Sequence, residues 1–439
     1  MKIIYFLIFI LFLNIFLYPS GRNLVNIGFG SLDLLELSLW IIFVFTLYFS
    51  LLFRFKNFNK IKAVLHKRER IMLLLFIIIF LVSIILGFLN LNQNVLSQSR
   101  GIIVFLTTIV LFLLYSNKGI TKMFSSRLLY FLLIFLNVSV ILSYFSYSFT
   151  TTYNSFFGTL LNEDIDRFQR SQSGQFGTYS LGITSITLFS YLFGISNLLF
   201  GNFKMKYIIL TLLGFISTNL FFQKPVVIGF LISNILLLLL IVYIKFNVKN
   251  IIRGLSVILT FALLIFFSLM IIPEKSLQNT INYINYGWLN IGREGFENDL
   301  STGRFDLWTD YSIQALKGLG IAPWGFGKEL EYSLTDNPHN IVVFLAYNIG
   351  IIGTIIFLSL IFSIIQRSVS NLKSFKYIFD DHFIVSFALV VFVLTTFLQA
   401  LYGGTLDSIR TSIFMFSGAL VILAKFSNSY DFNMYKSED

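Results

Sequence analysis

Apolar residues in this chain come in long runs separated by polar stretches. Twelve runs stand out, near residues 3–18, 32–53, 71–91, 101–115, 128–149, 179–199, 207–222, 226–244, 253–272, 340–365, 383–401 and 406–425. A helix needs roughly 20 apolar residues to cross a bilayer, with a range of about 17–25. Runs 3–18 and 101–115 are short, and 207–222 and 226–244 almost meet at Gln223-Lys224-Pro225. The pattern predicts an all-α polytopic membrane protein of about twelve transmembrane helices, forming a single membrane domain over 1–439. The first run, behind Lys2, has the layout of a secretory signal. No small-residue cleavage pattern follows Leu17-Tyr18-Pro19-Ser20, so it reads as an uncleaved span.

The longest polar stretch runs from about 273 to 338, before the tenth run. It carries its own helical pattern near 302–317. Phe305, Trp308, Ser312, Ala315, Leu316 and Leu319 recur at three-to-four spacing, Ser301-Thr302 offers a cap, and Gly318 and Gly320 offer a stop. Such a helix lies on the bilayer or covers a cavity mouth, or else simply packs on the bundle. A second polar segment, 150–178, holds Glu163-Asp164-Ile165-Asp166-Arg167 and then Arg170. No internal repeat is evident.

Composition agrees with lipid as the solvent. The chain is 56% hydrophobic and 12% charged, where a soluble domain carries about 25% charged residues. In a bilayer the backbone must satisfy itself, which favours spanning helices. There are no cysteines, which excludes disulfides and thiolate metal sites and leaves the redox compartment unmarked.

The net charge of +11 sorts by loop. With the N-terminus inside, 21 of the 32 Lys and Arg residues fall on the inner side and 15 of the 21 acids on the outer side. This positive-inside bias predicts that both termini are cytoplasmic and that 273–338 is extracytoplasmic. Topology accounts for the basic charge, and no nucleic-acid partner is expected.

Against that frame a few residues carry chemistry. His339 sits in Asp336-Asn337-Pro338-His339-Asn340, at the start of the tenth run. Asn337 or Asp336 is a candidate N-cap and Pro338 suits the first helical position, which puts His339 in the first turn. The positive end of the helix dipole disfavours imidazolium there, and a neutral imidazole is what a general base requires. The plainer alternative is an interfacial histidine that hydrogen-bonds a loop. His66 and His382, in basic inner loops, read as solvated.

Arg304, near the start of the loop helix, suits an anion, because helix N-terminal amides and a guanidinium fork both fit phosphate oxygens. Equally, it could pair with Glu294, Glu297, Asp299 or Asp306. Lys224, between two spans, either serves a function or snorkels to the interface. Arg170 either binds an anion or pairs with Glu163, Asp164 or Asp166. Asp164 and Asp166, two apart, form a pattern that can hold a divalent cation, although it arises readily by chance.

These residues together resemble the O-antigen ligase and polymerase superfamily, which includes capsule polymerases. The matching elements are Gly303-Arg304-Phe305-Asp306-Leu307-Trp308, Gly318-Leu319-Gly320, Gly325-Phe326-Gly327, Pro338-His339-Asn340 and Gly350-Ile351-Ile352-Gly353. Upstream, Arg170 to Phe176 is similar to the family's R-x-x-x-G-x-F element. The chain departs from the family at Gln223-Lys224-Pro225, where the family often has Ser-Arg. Lysine keeps the charge but lacks the bidentate fork.

The resemblance implies a glycan on a polyprenyl diphosphate, presented at the outer leaflet of a bacterial cytoplasmic membrane. A sugar hydroxyl of the acceptor would attack the donor's anomeric carbon with inversion. His339 would take the proton, and Arg304, with Lys224 and Arg170, would stabilise the departing diphosphate. Asp336, Asn337, Asn340 and Trp308 would support them. No metal or other cofactor is required. Flippase and chain-length regulator proteins are the implied protein partners. A polymerase joining repeat units is the first expectation and a ligase moving a finished glycan is the second. A transporter of lipid-linked sugars is the reading from another class; it would place charged or broken-helix elements near the midplane.

Overall fold

In the computed structural model the described residues are 23–26, 31–33, 41, 64–92, 95–115, 127–145, 181–201, 204–219, 224–244, 304–318, 320, 322, 324–326, 328, 340–374, 381–402 and 410–434. Within them lie two short strands, β1 (Asn23–Asn26) and β2 (Ser31–Asp33), and ten helices. The helices are α1 (Lys67–Leu89), α2 (Val95–Tyr115), α3 (Arg127–Phe145), α4 (Leu181–Phe200), α5 (Met205–Asn219), α6 (Lys224–Tyr243), α7 (Arg304–Lys317), α8 (Ile341–Ser374), α9 (Asp381–Ala400) and α10 (Arg410–Met434).

All of these helices except α7 coincide with apolar runs of the sequence. Four stretches, Lys67–Leu89, Val226–Tyr243, Ile341–Ser374 and His382–Ala400, are long and apolar enough to cross a membrane. The runs at 3–18 and 253–272 lie outside the described residues. The run expected at 32–53 needs correction at its start. Ser31–Asp33 pairs antiparallel with Asn23–Asn26, so Leu32 and Asp33 belong to a short strand, while the fold as a whole is helical, as expected. Backbone pairing between the two strands decides the conformation there, not the apolar side chains that follow.

The bundle has an inside and a lipid-facing outside. In the most apolar stretch of α9, 89% of residues are buried, against 28% in α1. α9 is therefore central and α1 peripheral. The outward stripe of α1, with Leu74, Ile78, Leu81 and Ile85 exposed, is apolar, as lipid contact requires.

Apolar packing gives no preference for helix over lipid, so close fit and polar contacts hold the helices together. Asn137 of α3 donates to Ser190 of α4 at 3.0 Å and accepts from Ser217 of α5. Thr218 of α5 donates to Thr187 of α4 at 3.0 Å, and Tyr191 of α4 donates to Asn234 of α6 at 2.6 Å. Ser185 of α4 meets Ser412 of α10 at 2.7 Å.

α1 and α8 run antiparallel along their length. Glu69 and Arg367 pair at 2.9 Å at one end, with the Glu69 side chain only 1% exposed. Glu69 also accepts from the His66 amide at 2.9 Å and from the Ser363 hydroxyl at 3.3 Å. His66 is thus tied to the first turn of α1 through its backbone. Phe76 packs on Phe357 at 5.3 Å in the middle of the pair. The other end of α1, about 27 Å from Glu69 at 1.5 Å rise per residue, carries Gly87 and the candidate site.

Candidate functional site

The start of α8 is fixed by Asn340. Its Oδ1 accepts the amides of Val342 at 3.0 Å and Val343 at 3.2 Å, while its carbonyl accepts from Phe344 at 2.8 Å. Asn340 is therefore the N-cap and Ile341 the first helical residue. This corrects the expectation that Asn337 or Asp336 caps, with Pro338 and His339 inside the first turn. The reason is local: asparagine is a preferred cap, and at 340 it satisfies two of the first free amides itself. Asp336, Asn337 and His339 lie outside the described residues, and His339 directly precedes the cap in sequence.

α8 does not run unbroken. Gly350 has φ 83° and ψ 168°, a conformation open to glycine and strained for other residues. In a continuous helix the Tyr347 carbonyl would accept from Ile351, and the Ile352 amide would donate to Asn348. Here both groups turn to the polar segment that precedes α8. The indole Nε1 of Trp324 donates to the Tyr347 carbonyl at 3.0 Å, and the Ile352 amide donates to the Gly320 carbonyl at 3.1 Å.

The same segment is fastened to α1. The Phe326 amide donates to the Ser83 carbonyl at 3.1 Å. Asn92, just past α1, donates its Nδ2 to the carbonyls of both Trp324 and Phe326, each at 2.8 Å. Gly325 lies directly on the Ser83 carbonyl and the Gly87 amide, and its φ of 64° completes the turn. No side chain fits there. Phe326, fully buried, meets Phe80 edge-on at 5.5 Å.

α7 leads into this junction. Tyr311 and Ala315, one turn apart, are buried, and Tyr311 packs edge-on against Tyr347 at 4.7 Å. Trp324 packs at a tilt on the same Tyr347, with ring centroids 5.3 Å apart. Of the face expected from spacing, Ala315 is buried and Trp308 and Ser312 are half-buried, but Leu316 is 62% exposed. Tyr311, packed on Tyr347, and Ala315 form the buried strip, and the larger aliphatics Ile313 and Leu316 turn away.

The remaining site residues sort plainly. Arg304 is the first residue of α7, and Trp308 lies one turn further on and is half-buried. Lys224 is the first residue of α6, which packs on α9, itself a neighbour of α8. The structure thus joins the helix that begins with Arg304 to the helix capped by Asn340. Arg170, Asp164 and Asp166 lie outside the described residues. Among the described residues no group of three or more His, Cys, Asp or Glu is placed to hold a metal. Tyr402, just past α9, has its phenol pushed up by burial and stays neutral.

Sequence reasoning missed Asn92, Tyr311, Trp324 and Tyr347. Trp324 and Tyr347 neighbour the glycine pairs Gly325–Gly327 and Gly350–Gly353, motifs to which the sequence assigns no physical role, whereas nothing in the sequence singled out Asn92 or Tyr311. No family model matches the chain, and no curated protein matches it.

Proposed function

We propose that this protein is a glycosyltransferase of the membrane that joins polyprenyl-diphosphate-linked oligosaccharide units into a polysaccharide. One observation carries most of the reading: α7, which begins at Arg304, is docked against α8, whose cap directly follows His339. A helix N-terminus with an arginine suits a diphosphate, and a neutral histidine suits a hydroxyl nucleophile. In the reaction the acceptor hydroxyl loses its proton to His339 and its oxygen bonds to the anomeric carbon. The bond from that carbon to the diphosphate oxygen breaks on the opposite face, and Arg304 takes up the developing charge, with Lys224 and Arg170 completing the anion site. One well-placed donor to developing charge contributes about 2.7–4 kcal/mol.

The wider setting belongs to the same reading. The chain has about twelve spans in a bacterial cytoplasmic membrane, both termini are cytoplasmic, and the junction faces outward. The positive-inside bias supports that orientation. A ligase would use the same groups on a different acceptor.

A transporter of lipid-linked sugars gains one specific observation, the break at Gly350, since discontinuous helices mark many transport sites. Against it, two of the groups freed by the break are taken by Gly320 and Trp324 rather than left for cargo.

The deciding experiment is the glycan ladder of a deletion strain complemented with wild type, His339→Ala or Arg304→Ala at equal membrane abundance. The polymerase reading expects long chains from wild type and single lipid-linked units from both variants. Wild type that instead attaches chains already long is a ligase. Normal chains from His339→Ala remove the general base and favour transport.

A further inference from the structure

Every described residue with a left-handed backbone belongs to one junction. They are Leu91, Gly320, Gly325 and Gly350, with φ of 55°, 114°, 64° and 83°. Leu91 is the non-glycine among them, and its strain has a visible consequence. It closes α1 with two reversed bonds, Asn92 amide to Gly87 carbonyl at 3.1 Å and Leu91 amide to Phe88 carbonyl at 3.0 Å. That turn brings Asn92 to where its side chain donates to two carbonyls of the polar segment. On the facing side Gly350 opens α8, and the freed carbonyl and amide are met by Trp324 and Gly320. Strained backbone persists where surrounding contacts over-determine it, and it gathers at functional sites.

Resting on the glycosyltransferase reading above, we propose that Asn92 and Trp324 are positioning residues. They form a clamp that holds the polar segment to both α1 and α8, and so fixes α7, which begins at Arg304, relative to the Asn340 cap that follows His339 in sequence. The segment is a fixed wall of the site, not a lid. Each half of the clamp supplies what the other lacks. Of the groups the break in α8 frees, the Tyr347 carbonyl meets a donor and the Ile352 amide meets an acceptor on the segment. The carbonyls of Trp324 and Phe326 are in turn held by Asn92. Loosening the clamp leaves the reacting groups present but misaligned, which lowers turnover more than substrate binding.

The chain has no cysteine, so a single introduced thiol reports without background. Ala322, 1% exposed, lies inside the segment, and Ala322→Cys is the reporter. Full-length protein in membrane vesicles is treated with a membrane-impermeant maleimide, alone and with Asn92→Asp, Trp324→Phe or Leu91→Gly. Chain elongation from a lipid-linked repeat unit is followed on the same vesicles. Asn92→Asp removes the donor at constant shape, and Trp324→Phe removes the indole N–H while keeping a ring. Leu91→Gly relieves the strain and keeps every side-chain bond.

The expected result is a protected thiol in the parent and in Leu91→Gly, and labelling about tenfold faster in the two clamp variants. Turnover should fall about tenfold or more in those two variants, with KM for the repeat unit nearly unchanged, and stay normal in Leu91→Gly. Unchanged labelling in both clamp variants overturns the clamp. Faster labelling with full turnover overturns the positioning role. A parent that labels as expected but elongates nothing fails the glycosyltransferase reading, and the positioning role with it.

Discussion

The amide of Ile352 donates to the carbonyl of Gly320 across 3.1 Å, joining a membrane-spanning helix to the polar segment that precedes it. In hydrocarbon a free backbone amide costs several kcal/mol, so a break in a spanning helix persists only where protein meets the freed groups. Gly350 makes the break, and Gly320 and Trp324 meet it.

Gly350→Ala tests that dependence. A side chain at φ 83° and ψ 168° is strained, and straightening α8 instead would strip Gly320 and Trp324 of their partners. The variant should lose about 1–3 kcal/mol of stability, read as a lower Tm in detergent. An unchanged Tm would mean that the break is not needed.

Gly325→Ala addresses the other side of the junction. A β-carbon there runs into the Ser83 carbonyl and the Gly87 amide, both backbone groups that cannot rotate aside. Overpacking of this kind costs about 1–3 kcal/mol. Amide exchange should quicken at residues 83–92 while the Glu69 end of α1 stays protected.

Leu91→Gly should act in the opposite direction. Removing the β-carbon relieves a left-handed leucine, and the gain is partly offset by glycine's chain entropy, leaving about 0.5–1 kcal/mol of added stability. Thermal unfolding of the purified variant checks the sign.

At the far end of the same helix pair, Arg367→Met leaves Glu69 buried without its cation. Breaking a buried pair from one side costs about 3–5 kcal/mol, whereas replacing both partners with apolar residues is often neutral. Arg367→Met should therefore reduce membrane abundance sharply, and Glu69→Leu with Arg367→Met should recover most of it. Equal loss in both would show that the bonds from His66 and Ser363 to Glu69 matter more than the ion pair.

Long apolar runs made the spanning helices readable, because lipid imposes the same demand at every position of a span. What the runs did not reveal is governed by contacts between distant segments. Leu316 belongs by spacing to the same apolar face of α7 as Ala315, yet it is exposed while Tyr311, absent from that face, is buried against Tyr347. The cap of α8 moved from Asn337 to Asn340 because several good caps stood within four residues, and geometry chose among them. The glycines at 320, 325 and 350 were visible as a pattern, but their purpose depends on Ser83, Gly87 and Asn92, more than 200 positions away in the sequence. Of the candidate site, the sequence named Arg304, His339 and Asn340, and the fold added the bonds from Asn92 and Trp324 that hold the polar segment to α1 and α8.

The decisive measurement is chain elongation by the purified protein in lipid vesicles, supplied only with a polyprenyl-diphosphate-linked repeat unit. Wild type should convert it to a ladder with release of polyprenyl diphosphate, and His339→Ala, folded to the same Tm, should leave the unit intact. A wild-type protein that moves the unit across the bilayer without joining it, or a His339→Ala variant that elongates normally, would show that this is not a polymerase with His339 as its base.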